Sequence, residues 1–227
     1  MSDLRRVWVT RARPGADRTA GRINALGFKP LVVPLLEIHP RLAAPDLAGV
    51  QTLAFTSANG VAVFAALSGA RDLPVLTVGD ATAHAAREAG FATVRSADGD
   101  LAALAALIRA EASGLTILHP SAVEPAGDLS AAVGDAARIL SLPVYEARET
   151  GADAPEAWDA VLIHSPRAGR ALAASLSAEQ ARGRVAVVIS AAVAAPLAAL
   201  PFAEVRVAAA PAEHALLAAL GKAGASV

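Results

Sequence analysis

The 227-residue chain contains no cysteine. That absence excludes thiol nucleophiles, disulfides and thiolate metal sites together. Aromatic residues make up only 4 % of the chain, with a single tyrosine, so a platform of stacked nucleic-acid bases is not expected. Neither sign of charge dominates. The formal net charge is −1 and no segment carries a basic stripe, which argues against a nucleic-acid partner. No apolar run is long enough to cross a bilayer, and the chain passes from Arg5-Arg6 directly into a strand-like run. A soluble cytoplasmic protein with no membrane partner is the expectation. Familiar motifs are missing too. There is no Gly-x-Ser-x-Gly elbow and no Walker-type loop, and Gly79 with Gly90 makes no dinucleotide fingerprint. The five histidines form no pair at helical spacing, so no metal site is expected. His84 and His214 fall in helical patterns, while His119 and His164 follow strand-like runs, where a buried, hydrogen-bonded histidine is the ordinary state.

What is present is a duplication. Phe55-Thr56-Ser57-Ala58-Asn59-Gly60 returns as Ile163-His164-Ser165-Pro166-Arg167-Ala168, with Ser165 lying 108 residues after Ser57. Gly79 and Ser190 are 111 apart in matching segments, Pro34 and Pro143 are 109 apart, and Leu104 and Leu216 are 112 apart. A repeat of this length is too long for a solenoid and has the size of a small domain. Hydrophobic residues make up 55 % of the chain, enough for two cores.

Short apolar runs alternate with alanine-rich helical patterns. The first copy has runs at Val7–Thr10, Leu31–Val33, Leu53–Thr56, Val75–Val78 and Ala92–Arg95. The second has Thr116–His119, Ile139–Val144, Ala160–His164, Val185–Ile189 and Glu204–Val207. Runs apolar along their whole length suit strands buried on both faces of parallel sheets. Between them, Leu101, Leu104 and Ile108 mark one helical stripe and Thr19, Ile23 and Leu26 another. Gly27 and Gly90 sit where a left-handed cap should end a helix. The pattern predicts an α/β fold of two similar flavodoxin-like lobes, each a five-stranded parallel sheet flanked by helices. Two stretches, Pro34–Pro40 and Pro143–Thr150, read as extended connectors in matching places. Which strands share a sheet stays open; a split into two successive beads near residue 112 fits the pattern equally well.

Ligands of open parallel sheets bind beyond the carboxyl ends of the strands. The turns there carry Thr10 and Arg11, then Thr56, Ser57 and Asn59, then Gly79 and Thr82, then His119, then Ser165 and Arg167, then Ser190. Each turn opens a helix, whose unpaired N–H groups and positive dipole end attract carboxylates or phosphates. Ser, Thr, Asn and Asp before a helix are also ordinary N-caps, so any single turn has that simpler explanation. Arg11, Arg13, Arg167 and Arg170 are the cations placed to meet an anion, though each alone suits a solvated surface. Tyr145, the one tyrosine, lies in the second connector. Its phenol suits either a hydrogen bond to a ligand or an amphipathic plug between lobes.

The ordered segments that carry a resemblance are Val9–Pro14, Leu26-Gly27-Phe28 and Pro34–Ile38, then Phe55–Val61, Thr77–Ala83 and Ala89-Gly90-Phe91, then Leu142–Ala147 and His164–Arg167. Nearly end to end, they make the chain resemble the uroporphyrinogen-III synthase family, which closes hydroxymethylbilane in heme and siroheme biosynthesis. The resemblance implies a discontinuous first lobe of residues 1–34 plus 151–227, an inserted second lobe of residues 40–144, and crossing connectors at 35–39 and 145–150. It implies that the linear tetrapyrrole hydroxymethylbilane binds in the cleft between lobes with no cofactor or metal; the sequence is silent on oligomeric state, and a monomer is the expectation. It implies a dehydrating cyclisation in which ring D is inverted. Tyr145 matches the family's cleft tyrosine, and Thr56, Ser57, Gly79, Thr82 and Ser165 match its binding turns. One departure is Ser190-Ala191-Ala192-Val193, where members often keep a glycine-and-threonine turn, so a hydroxyl near Val193 is missing. A closing two-lobed anion binder without catalysis, or an inactive paralogue, would share most of these features.

Overall fold

The computed structural model describes residues 4–221. Its first elements are β1 (Arg6–Val9), α1 (Gly15–Ala25), β2 (Lys29–Val32), β3 (Leu36–Pro40), β4 (Thr52–Phe55) and α2 (Ala58–Leu67). There follow β5 (Val75–Thr77), α3 (Asp80–Glu88), β6 (Val94–Ser96), α4 (Leu101–Glu111), β7 (Thr116–Ala122) and α5 (Leu129–Val133). The last part holds β8 (Arg138–Glu149), β9 (Ala160–Ile163), α6 (Pro166–Ser175) and α7 (Ala178–Ala181). It closes with β10 (Val185–Val188), α8 (Ala191–Ala194), β11 (Glu204–Val207) and α9 (Glu213–Leu220).

The chain divides into two compact units. One holds Met1–Glu37 and Arg148–Val227, the other Ile38–Ala147. A split into successive beads near residue 112 is therefore not what the chain does. The five-stranded sheet has the order β11-β10-β9-β1-β2 and every pairing in it is parallel. It takes two strands from the first copy of the repeat and three from the second. The other sheet has six strands, not five, in the order β3-β8-β7-β4-β5-β6. Its inner pairings are parallel. At its edge, Thr150 N–H donates to the Leu35 carbonyl and Arg41 N–H to the Val144 carbonyl, an antiparallel pattern that makes this sheet mixed.

Alternation along the strands sends neighbouring side chains to opposite faces. In the five-stranded sheet Val7, Val9 and Leu162 pack with Ala16 and Ile23 of α1 and Leu216 of α9 on one face. Trp8, Val161 and Ile163 pack with Leu172 of α6 and Val193 of α8 on the other. In the six-stranded sheet Phe55 meets Phe64 of α2 and Ala86 of α3 on one face. Ala54 and Ile117 meet Leu104 and Ile108 of α4 on the other. Both sheets are thus covered by helices on both faces, as their unbroken apolar runs require.

Gly27 and Gly90 adopt φ values of 85° and 94°, the left-handed caps expected of them. The duplication also reappears as close packing. A β-carbon on Gly60 of α2 would lie 2.8 Å from the Pro120 carbonyl oxygen, and one on Gly169 of α6 would lie 2.9 Å from that of Val193. The two glycines are 109 residues apart, so the same point of the repeat brings each helix against a carbonyl, of β7 at Pro120 and of α8 at Val193.

Three local expectations change. Leu26 is not part of the buried stripe of α1; it follows the helix and is 47 % exposed. β7 does not stop at His119 but runs to Ala122, because its register with β8 continues through Pro120↔Leu142 and Ser121↔Pro143. β8 likewise runs past Val144 to Glu149, taking in most of the stretch read as the second connector. The register shifts between Ser121 and Ala122, and a proline, which cannot donate to the ladder, is tolerated beside such an irregularity.

Candidate active site

In the six-stranded sheet the order β8-β7-β4 sets three strands side by side. The turn after β4 carries Thr56 and Ser57. Ser57 is extended (φ −157°, ψ 141°) and caps α2, its Oγ accepting the Asn59 N–H at 3.0 Å. Asn59 therefore enters this site first through its backbone. The Thr56 hydroxyl lies 3.1 Å from His119 Nε2. His119 lies within β7, opposite Ser141, and only 2 % of it is exposed. Burial pushes its imidazole down to about 4, against a weaker opposing pull from Asp128. The ring is neutral at pH 7.

Tyr145 lies on β8 opposite Ala122, is 7 % exposed, and packs with Val63 and Val144. Burial pushes its phenol up, and a hydrogen bond with Ser57 acts the other way. The phenol thus keeps its proton at neutral pH and can donate it. Thr56 and Ser57, adjacent in sequence, each contact a buried polar ring, one from β7 and one from β8.

Further along, Gly79 is the N-cap of α3 (φ −162°, ψ 173°) and supplies no side chain to its N–H groups. Thr82, three residues on, is 6 % exposed and lies on the buried side of α3. Burial takes Thr82 away from solvent, so the turn presents backbone donors before it presents that hydroxyl.

The five-stranded sheet places its candidates differently. Thr10 is fully buried and its hydroxyl donates to the Leu162 carbonyl at 2.7 Å, bracing β1 against β9. Ser165 caps α6, accepting the Ala168 N–H at 3.2 Å, and Arg167 falls in the first turn of that helix. Ser190 precedes α8 with a hydroxyl that caps nothing. Val193, in the position where a hydroxyl is missing, is fully buried in the core. Arg13 pairs with Asp17 at the exposed start of α1.

Arg11 is not presented to solvent alone. Its guanidinium lies over Gly15, where a β-carbon would come within 2.7 Å of Nε, and donates to Glu213 Oε2 at 3.0 Å. Glu213, the first residue of α9, also accepts from the Thr19 hydroxyl at 2.6 Å and lies 3.0 Å from His164 Nε2. The side chains of His164 and Glu213 are 8 % and 9 % exposed. Burial alone would raise the Glu213 carboxyl. The bonds from His164 and Thr19, with the charges of His164 when protonated and of Arg11, outweigh it and hold the carboxyl at about 2. Burial pushes His164 down, with Glu213 opposing.

This cluster exists because β9 and β1 are neighbours and α9 packs beside α1. Sequence reasoning missed Glu213, and it read Thr19 as part of an apolar stripe. Thr19 and Glu213 are 194 residues apart, and no local pattern joins them. His164 is, as expected, a buried and hydrogen-bonded histidine. Among the described residues no group of three or more His, Asp or Glu side chains is arranged to hold a metal ion.

The family model for uroporphyrinogen-III synthase HemD matches residues 17–218. No curated protein matches the sequence. Among solved structures, the chain is similar to uroporphyrinogen-III synthetase from Helicobacter pylori, with a TM-score of 0.64 and 17 % identity over 95 % of this chain and 97 % of that one. It is also similar to a mutant uroporphyrinogen III synthase from the extreme thermophile Thermus thermophilus, with a TM-score of 0.54 and 19 % identity over 95 % and 98 % of the two chains. At these identities the structural likeness speaks for the fold.

Proposed function

Because this chain belongs to the uroporphyrinogen-III synthase family, we infer that it is the cyclising lyase itself, converting hydroxymethylbilane to uroporphyrinogen III and water. The observation that carries this is the family match across residues 17–218, which takes in every turn described above except the one holding Thr10 and Arg11.

In the reaction we propose, the C–O bond of the terminal hydroxymethyl group breaks and the hydroxyl leaves as water. The electron pair of the adjoining pyrrole nitrogen forms the azafulvene. Ring D attacks through its substituted carbon to give a spiro intermediate. Fragmentation and re-closure invert that ring, and loss of a proton restores the aromatic pyrrole. Tyr145 is the proton donor to the departing hydroxyl, with Ser57 holding its phenol. The hydrogen bond between its phenol and Ser57, in a turn that opens a helix, supports this role. The turns at Thr56-Ser57, Gly79 and Ser190 and the cation Arg11 take substrate carboxylates, chiefly by backbone N–H groups at helix starts. The absence of side-chain caps at Gly79 and Ser190 supports that part. The scheme draws on no cofactor. Choosing one closure of a flexible chain over another is work done by positioning, worth roughly 7–11 kcal/mol in favourable systems.

We also read both units as flavodoxin-like. Counted along the chain, β2-β1-β9-β10-β11 follows the order 2-1-3-4-5, and β8-β7-β4-β5-β6 follows the same order if β7 and β8 are counted first. On this reading residues 1–34 plus 151–227 and residues 40–144 are the lobes, with connectors at 35–39 and 145–150. The working form is a cytoplasmic monomer. No helix among the described residues is long and apolar enough to cross a membrane.

Freshly prepared hydroxymethylbilane, followed by oxidation of the products and chromatographic separation of the isomers, tests the reading. Type III product in excess over the spontaneous type I ring is expected. Type I alone would refute it.

A further inference from the structure

His164 ends in a polar atom that the fold leaves unmatched. Its Nε2 lies 3.0 Å from Glu213 Oε2, while its Nδ1 is buried with no hydrogen-bond partner among the protein groups. Glu213 is an ionised carboxylate and can only accept. The proton of a neutral His164 must then sit on Nε2, which leaves Nδ1 as a bare acceptor. Glu213 cannot turn away to relax this choice. Thr19 holds its Oε1 at 2.6 Å and Arg11 holds its Oε2 at 3.0 Å. Burial and the nearby Arg11 charge both oppose a second proton on the ring.

A linear tetrapyrrole asks for two kinds of partner. Its carboxylates need donors, which helix starts provide. Its pyrrole N–H groups can only donate, like an indole, and need acceptors. Donor-rich turns do not meet that second need, whereas a tautomer-locked imidazole does. We propose that Glu213 is a positioning residue that holds His164 as its Nε2–H tautomer, so that His164 Nδ1 accepts a hydrogen bond from a pyrrole N–H of the bound linear tetrapyrrole. This rests on the synthase reading above and adds a recognition role to it. His164 directly follows β9 and precedes the cap of α6, so on this proposal substrate binding opens that turn to reach Nδ1.

Nitrogen-15 NMR of the imidazoles in the full chain tests this, with His164 assigned by its loss in His164→Gln. The probe is a bilane carrying methyl in place of hydroxymethyl, which has no leaving group and cannot cyclise. In the free protein we expect a proton on Nε2 and a bare Nδ1. On adding the analogue, Nδ1 should move upfield while Nε2 is unchanged. Glu213→Gln removes the charge that selects the tautomer. It should populate the other form and weaken analogue binding about 3- to 10-fold, the worth of one neutral hydrogen bond. If that variant does not fold, the wild-type spectra decide. A protonated Nδ1 in the free protein, or an Nδ1 that stays put at analogue concentrations that fully inhibit the wild type, overturns the proposal while the synthase reading stands. A wild type that neither binds the analogue nor makes type III product removes both.

Discussion

His119 makes this protein sensitive to mild acid in a way that can be isolated. The ring is 2 % exposed and its pKa falls from 6.5 to about 4 in the folded chain, chiefly through burial. As pH falls, the unfolded chain takes up this proton first. Stability is therefore lost between about 6.5 and 4, with little further loss from this group below that range. At pH 4.5 the loss relative to pH 7 comes to about 2–3 kcal/mol. With a urea dependence of roughly 1–3 kcal/mol/M, that moves the midpoint by about 1–2 M. His119→Gln removes the titration and leaves a polar group to face Thr56. The assay is urea unfolding of both proteins at pH 7 and pH 4.5, followed by far-UV circular dichroism. Trp8 and Trp158 both belong to the unit formed by Met1–Glu37 and Arg148–Val227, so tryptophan fluorescence reports that unit separately. The wild type should lose more stability than the variant, in the unit that contains His119. All other titrating groups are common to both proteins. Equal losses would refute the assignment of a neutral buried imidazole.

Tyr145→Phe should lower kcat by about 10²-fold with the fold intact, and unchanged turnover would take the phenol out of the mechanism. Gly60→Ala and Gly169→Ala should each cost about 1–3 kcal/mol, because the new methyl meets a carbonyl oxygen at 2.8 and 2.9 Å. Equal thermal midpoints for wild type and variants would show that those backbones yield. Glu213 is held at about 2 against an ordinary 4.5, so its contribution is complete above 4.5 and is lost as pH falls through about 2. Glu213→Gln should flatten the acid limb of the stability curve below pH 4.5, and an unaltered limb would show that the carboxyl gains nothing from its partners.

The parts of the fold read correctly from sequence are those set by neighbours along the chain. Val7–Val9 and Ala160–Ile163 are apolar at every position because both faces of their strands are covered, and that pattern survives translation into structure. Gly27 and Gly90 end helices for a reason contained in their own backbones. Ser57 and Ser165 show the limit of such reading. Their place after a strand suits both a binding turn and a helix cap, and only the structure shows that both hydroxyls cap their helices. His119 reads as the end of its strand because Pro120 follows it, whereas pairing with β8 carries the strand on. That pairing is a property of two segments, and neither segment displays it alone.

By itself the sequence determined the alternation of strand and helix, the duplication, and the hydroxyl- and glycine-bearing turns at the strand ends. The duplication is legible by comparing segments, and the rest depends on forces acting within a few residues: side-chain periodicity, capping and left-handed glycine. Only the tertiary structure decided that each sheet draws strands from both copies, and that Thr19, Arg11 and His164 converge on Glu213. Strand order and helix packing bring such groups together across 49 to 202 residues. The energy of that meeting comes from burial and hydrogen bonds that form once the chain has folded.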